Sequence, residues 1–69
     1  LFPNPSDGII TLKSDKNYKL EIYTVDGKII LNDFGNQIDI SDTKNGIYFL
    51  KITQENTNNS ASFKILKKD

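Results

Sequence analysis

Short stretches of alternating apolar and polar residues constrain the fold of this chain more than any other feature. They cover residues 9–13, 18–25, 28–32, 37–41, 47–54 and 61–68, and most begin about nine or ten residues after the previous one. No part of the chain repeats apolar residues at the helical spacing over three turns. The pattern therefore predicts six or seven short antiparallel strands and almost no helix, in an all-β sandwich or barrel.

The same alternation predicts which side chains form the core, because successive side chains of a strand point to opposite faces. Ile47 and Phe49 lie on the opposite face from the core positions of their stretch, so we expect that strand to be covered on both faces. Glu21 is expected to face water, and an exposed position is the alternative for two aromatic residues, Tyr23 and Phe49. The predicted core consists of Tyr18, Leu20, Ile22, Ile38, Ile40, Tyr48, Leu50, Ile52, Phe63 and Ile65.

Two turns have clear sequence signals. Asp26-Gly27 lies between two apolar stretches, which predicts a two-residue hairpin loop of type I′. Near the start of the chain, Pro3 and Pro5 favour an extended backbone, and the turn-forming residues 6–8 follow them directly. Residues 1–8 are therefore predicted to form an extended lead-in that ends in a turn.

The composition argues against several classes of function. The chain contains neither cysteine nor histidine, which removes disulfides, thiolate metal sites and the commonest general base. Nine lysines balance nine acidic residues without the basic stripe of a nucleic-acid-binding protein. The apolar runs are too short to span a membrane. We therefore expect no enzymatic activity, no cofactor, no small-molecule substrate and no nucleic-acid partner.

Two groups of charged residues allow more than one interpretation. Asp39, Ser41 and Asp42 could supply oxygen ligands to calcium, but their spacing matches no calcium loop and favours a turn. Residues 64–68 are rich in lysine, which is typical of a solvated edge strand. The same residues could instead provide a charged contact for a partner.

Four segments occur in an order typical of one protein family. They are FPNPSDG (2–8), LEIYTVDGKII (20–30), IDISDTKNGIYFLKI (38–52) and FKILKK (63–68). Together they resemble the C-terminal sorting domain, type A, of the type IX secretion system of Bacteroidetes. The residues that match the family's motifs are Pro3, Asn4, Pro5, Gly8, Asp26, Gly27, Lys28, Gly46, Ile47, Tyr48, Lys67 and Lys68.

The resemblance implies a fold, a location and a set of partners. Such domains resemble small Ig-like antiparallel β-sandwiches and lie at the C-terminus of secreted cargo. They direct the cargo through the type IX outer-membrane translocon and its shuttle barrel, by way of the periplasm, to the cell surface or beyond. A sortase-like surface peptidase usually removes them, and the cargo can be joined to lipopolysaccharide. We therefore expect residues 1–69 to be a single sorting domain, with residues 9–68 as the sandwich, at the end of a larger secreted protein.

Two residues depart from the family pattern, and two other functions are compatible with the sequence. Thr43 occupies a position where an apolar residue is usual, which is expected to loosen one core contact. Asp69 follows the terminal lysines, whereas the family commonly ends close to a basic residue. The alternative functions are a carbohydrate-binding or adhesive β-sandwich module and a passive spacer domain.

Overall fold

The computed structural model describes residues 8–14, 16–57 and 59–68. Within these ranges the chain forms six β-strands and no helix, which confirms the predicted all-β class. Each predicted stretch contains one strand, although β3 extends three residues beyond its predicted end at residue 32. The strands are β1 (Ile9–Thr11), β2 (Tyr18–Tyr23), β3 (Ile29–Gly35), β4 (Gln37–Asp39), β5 (Gly46–Gln54) and β6 (Ser60–Lys67).

The strands form two antiparallel sheets that pack into a small sandwich-like fold. One sheet has four strands in the order β3-β2-β5-β6, and the other consists of β1 paired with β4. Buried residues from both sheets form one core, so the two-stranded sheet covers one face of the four-stranded sheet. We call this covered face the inner face and the opposite face of the four-stranded sheet the outer face.

The core agrees with most of the residues predicted from the alternation. Tyr18 and Ile52 are only partly buried against it, and Phe63 is partly buried and lies outside it, which corrects the prediction for that residue. Each strand of the two-stranded sheet has only three residues, so this sheet covers only part of the inner face. Ile10 and Leu12 belong to the core but were not predicted. The buried core residues are Ile10, Leu12, Leu20, Ile22, Ile38, Ile40, Tyr48, Leu50 and Ile65.

The outer face differs from the prediction in two respects. Glu21 does not face water, because only 8% of it is exposed between its neighbours Asn32 and Lys51 on the adjacent strands. Conversely, Ile47 and Phe49 are 42% and 36% exposed, so β5 is not covered on both faces. The covered face of β5 is the one packed against the two-stranded sheet.

Two glycines adopt similar left-handed conformations in very different surroundings. Gly8 has a φ of 84° and Gly27 a φ of 88°, a region that is costly for any residue with a Cβ. A Cβ on Gly8 would lie 2.6 Å from the Cα of Ser41, whereas a Cβ on Gly27 would have no atom within 4 Å. Gly8 is therefore required both by its φ and by the close approach of Ser41, and Gly27 by its φ alone.

This pair of glycines allows backbone strain to be separated from crowding. We expect Gly27→Ala to lower the free energy of unfolding by about 1–2 kcal/mol, the cost of a left-handed L-residue. Gly8→Ala should cost about 1–3 kcal/mol more, because the added methyl group must displace backbone. Denaturant unfolding of the two variants measures the difference. Equal losses would show that Ser41 moves away without cost.

Candidate functional site

All the described parts of the four motif segments reach the same end of the sandwich. The sheet register places Tyr23, at the end of β2, opposite Phe49, and Lys67, at the end of β6, opposite Gly46, the first residue of β5. The start of β1 pairs with the end of β4, and residue 8 adjoins that pairing. We call this end, formed by Gly8 and residues 24–28, 40–48 and 67–68, the motif end.

Lys67 is the main polar contact of the motif end. Its Nζ donates hydrogen bonds to the carbonyl oxygens of Ser41, at 3.2 Å, and Thr43, at 2.6 Å. Only 6% of the residue is exposed, so the interpretation of Lys67 as a solvated edge lysine is wrong. Since Lys67 continues the inward positions of β6, its side chain passes toward the turn between β4 and β5. A charge buried in this way is stabilised by the carbonyls it binds.

Two further hydrogen bonds hold the turn at residues 41–44, one donated by Thr43 and one accepted by Lys44. The Thr43 hydroxyl donates to the carbonyl oxygen of Ile40 at 2.7 Å, so this half-buried residue makes a polar contact at a position where the resemblance implied an apolar residue. The Tyr48 hydroxyl donates to the carbonyl oxygen of Lys44 at 2.6 Å. Buried Tyr48 thus fixes the exit of the turn while its ring packs in the core.

Gly8 joins the first motif segment to the same region. The backbone N–H of Ile40 donates to the carbonyl oxygen of Gly8 at 2.6 Å. Gly8 is buried and lies against Ser41, so the first segment, the turn and Lys67 form one connected structure. Three of the described motif residues, Gly8, Tyr48 and Lys67, therefore contact the same turn although they are far apart in the sequence.

Asp39 and Ser41 take part in the turn that their sequence favoured. The Asp39 carboxylate accepts a hydrogen bond from the backbone N–H of Ser41 at 2.8 Å. Hydrogen bonds from the side chain and then the backbone of Ser41 lower the pKa of the exposed Asp39 carboxyl. Within the described residues, no group of three or more acidic side chains is placed to hold a metal ion.

The hairpin at residues 24–28 differs from the two-residue type I′ loop that was predicted. The N–H of Gly27 donates to the carbonyl oxygen of Thr24 at 3.0 Å, so the turn is centred on Val25 and Asp26. A further bond from the N–H of Thr24 to the carbonyl oxygen of Lys28, at 2.9 Å, closes a three-residue loop. The Thr24 hydroxyl donates to the Asp26 carboxylate, which is the largest of the contacts that lower the pKa of Asp26. These side-chain bonds favour the longer loop.

The described motif residues divide into buried and exposed groups. Gly8, Tyr48 and Lys67 are buried, and Gly46 is half-buried at the start of β5. The exposed residues are Asp26, Gly27, Lys28, Ile47 and Lys68. Pro3, Asn4 and Pro5 lie outside the described residues, as does the predicted lead-in except for Gly8.

Sequence reasoning missed the contribution of backbone atoms to this region. The carbonyl groups of Ser41, Thr43 and Lys44 have no sequence signal, because every residue carries one. The inward position of Lys67 did have a signal, since the period of two through Phe63 and Ile65 continues to residue 67.

Comparison with known proteins gives one family. The family model for the secretion system C-terminal sorting domain matches residues 1–68. No curated protein matches the chain. Across the part of the chain that the structure describes, no helix is long and apolar enough to cross a membrane.

The two terminal lysines provide a matched test of the Lys67 contact. We expect Lys67→Ala to lower the free energy of unfolding by about 1–3 kcal/mol, because two part-buried hydrogen bonds from a charged donor are lost. Lys68→Ala, at an exposed position, should change it by about 0.5 kcal/mol or less. Thermal and denaturant unfolding measure both. If both variants unfold like the unmodified chain, the Lys67 bonds contribute no stability.

The turn should also respond to acid. Because the pKa of Asp39 is lowered from its usual value of 3.8, its stabilising contribution is complete above that value and is lost as pH falls through the lower folded pKa. Asp39→Asn keeps a side-chain oxygen acceptor but cannot titrate there. The melting temperature of the unmodified chain minus that of Asp39→Asn should therefore decrease below pH 3.8. A difference that is independent of pH would exclude this role of the carboxylate.

Proposed function

Since the chain belongs to the family of secretion system C-terminal sorting domains, a signal for type IX secretion, we propose that the secretion machinery recognises it as a folded surface centred on the motif end. A sorting signal of this type directs export through the outer membrane to the cell surface or beyond. The observation that supports recognition of a folded surface is the meeting of the described motif segments at one end of the sandwich.

The proposal treats residues 1–69 as one sorting domain, with residues 1–8 as a lead-in and 9–68 as the sandwich. We propose that this sorting domain lies at the end of a larger secreted protein, the cargo. Two features support this unit: the family match extends over residues 1–68, and one core includes residues from β1 to β6. An extended lead-in would separate the folded signal from the cargo and leave accessible chain upstream of it.

The sorting domain implies contact with the type IX machinery and with an upstream cargo. We propose that the specific partners are the outer-membrane translocon, its shuttle barrel and a sortase-like surface peptidase. The translocon and shuttle barrel would bind the folded domain, whereas the peptidase would cleave near the lead-in. The sorting-domain family is not catalytic, so in this proposal any enzymatic activity belongs to the cargo.

Within the motif end, the proposal assigns two different roles to the motif residues. Gly8, Tyr48 and Lys67 form the surface by fixing the turn at residues 41–44. Ile47 and Lys68 are exposed and can contact a partner directly. Loss of a buried motif residue should therefore reduce export and stability together. Loss of an exposed one should reduce export alone.

A reporter fusion tests whether this chain directs export. Residues 1–69 are placed behind a reporter with a Sec signal, in a host that has type IX secretion and in an isogenic host that lacks it. We expect surface or medium localisation only in the first host. Equal release from both hosts would indicate a passive spacer.

Truncation after Ile65 in the same fusion tests the last strand. It removes the partners of Ile47 and Gly46 in β5 and the two bonds from Lys67 to the turn. We expect the truncated domain to be more sensitive to protease than the complete one and its reporter to remain in the periplasm. Lys68→Ala in the full-length fusion is the control for folding, with normal protease resistance and reduced export expected. Normal export of the truncated fusion would contradict the proposal.

A further inference from the structure

The outer face carries an exposed apolar surface next to the motif end. The sheet register makes it continuous, because Tyr23 lies opposite both Phe49 on β5 and Ile29 on β3, and Ile47 lies opposite Leu66. Val25 extends it into the hairpin and is 71% exposed. We call this surface the outer-face patch, and its members are Tyr23, Val25, Ile29, Ile47, Phe49 and Leu66.

A shallow groove lies on the side of the patch nearest the hairpin. It has a volume of about 410 Å³, and its lining includes Tyr23, Val25, Phe49, Lys51 and Ser62. Its two aromatic side chains stand on paired positions of adjacent strands. A partner side chain in the groove would contact side chains whose backbone is already ordered by the sheet. Less conformational entropy is therefore lost on binding.

The charges near the patch favour an acidic partner. Lys51 lies in the groove lining, and Lys64 lies directly opposite Phe49 on β6. Glu21, on the same face, is buried and accepts a hydrogen bond from the Tyr23 hydroxyl at 3.4 Å. The nearby acid Asp26 is an exposed carboxylate, and its charge is offset by Lys28, which is close enough to contribute to lowering the pKa of Asp26. The patch therefore combines exposed apolar side chains with lysines at its edge.

We propose that the outer-face patch is a docking surface for a protein of the secretion machinery whose contacting surface is apolar with carboxylates at its edge. The inference rests on the proposed function and names the chemistry of the partner. Contiguous exposed apolar surface bordered by polar residues is typical of interaction sites.

Phe34 provides a matched control for the patch. It is an exposed aromatic residue, 54% accessible, opposite Lys19 at the far end of the same sheet. In the reporter fusion, we expect Phe49→Thr to reduce surface localisation by about tenfold, as for loss of an aromatic residue central to an interface. Phe34→Thr should leave localisation unchanged. Protease resistance and melting temperature are measured for both variants.

Charge reversal tests the acidic partner and does not require removal of an apolar side chain. Lys64→Glu places a carboxylate beside the patch, whereas Lys16→Glu makes the same change at an exposed position before β2. We expect Lys64→Glu to reduce surface localisation and Lys16→Glu to leave it unchanged, with both domains folded. If Phe49→Thr unfolds, Lys64→Glu decides the outcome.

The result distinguishes this inference from the proposed function. Failure of the unmodified fusion to be exported would contradict the proposed function and with it the inference. Normal export of folded Phe49→Thr or folded Lys64→Glu would overturn the docking surface alone. Two other occupants are tested with the purified chain, by sedimentation for self-association and with phosphatidylglycerol vesicles for membrane binding. Either association, if Phe49→Thr abolishes it, would overturn the assignment to a protein of the secretion machinery.

Discussion

The ammonium group of Lys67 on two carbonyl oxygens is the contact on which the motif end depends. The turn at residues 41–44 connects the two-stranded sheet to the four-stranded sheet, and β6 is the last strand of the latter. Carbonyl groups in a partly buried connection are stabilised by donors from the protein, and a charged donor forms the stronger hydrogen bonds. Lys67 supplies the donors from the strand farthest along the chain. One side chain thus connects β6 to the turn that links the two sheets.

The sequence predicted the strands well because the period of two is a property of the strand backbone itself. It predicted most of the core for the same reason, including Leu20 and Leu50. It failed where the outcome depends on neighbouring strands or on loop geometry. Glu21 is buried by residues on β3 and β5, and their register is not visible in its own stretch. The hairpin at Asp26-Gly27 is one residue longer than predicted, because Thr24 bonds across it.

Several of the motif residues build the structure of the domain. Gly8 has no room for a Cβ, Tyr48 closes the turn with its hydroxyl, and Lys67 is almost fully buried. A partner that approaches the folded domain meets little of these three buried residues. The match to the family therefore reports the fold, and recognition by the machinery requires exposed groups that the fold positions. The residues that match the family's motifs and the residues that contact a partner therefore need not be the same.

In the stretch from Ile47 to Lys51, one strand carries both residues that stabilise the fold and residues that are exposed to a partner. Its inward side chains, Tyr48 and Leu50, pack in the core and fix the position of β5 between β2 and β6. Its outward side chains lie on the outer face, where a change has little effect on the core. A strand with two such faces can keep its inner residues constant while its outer residues adapt to a partner. The covering of only one face of the four-stranded sheet is what makes this division possible, because a second covering sheet would bury both sets.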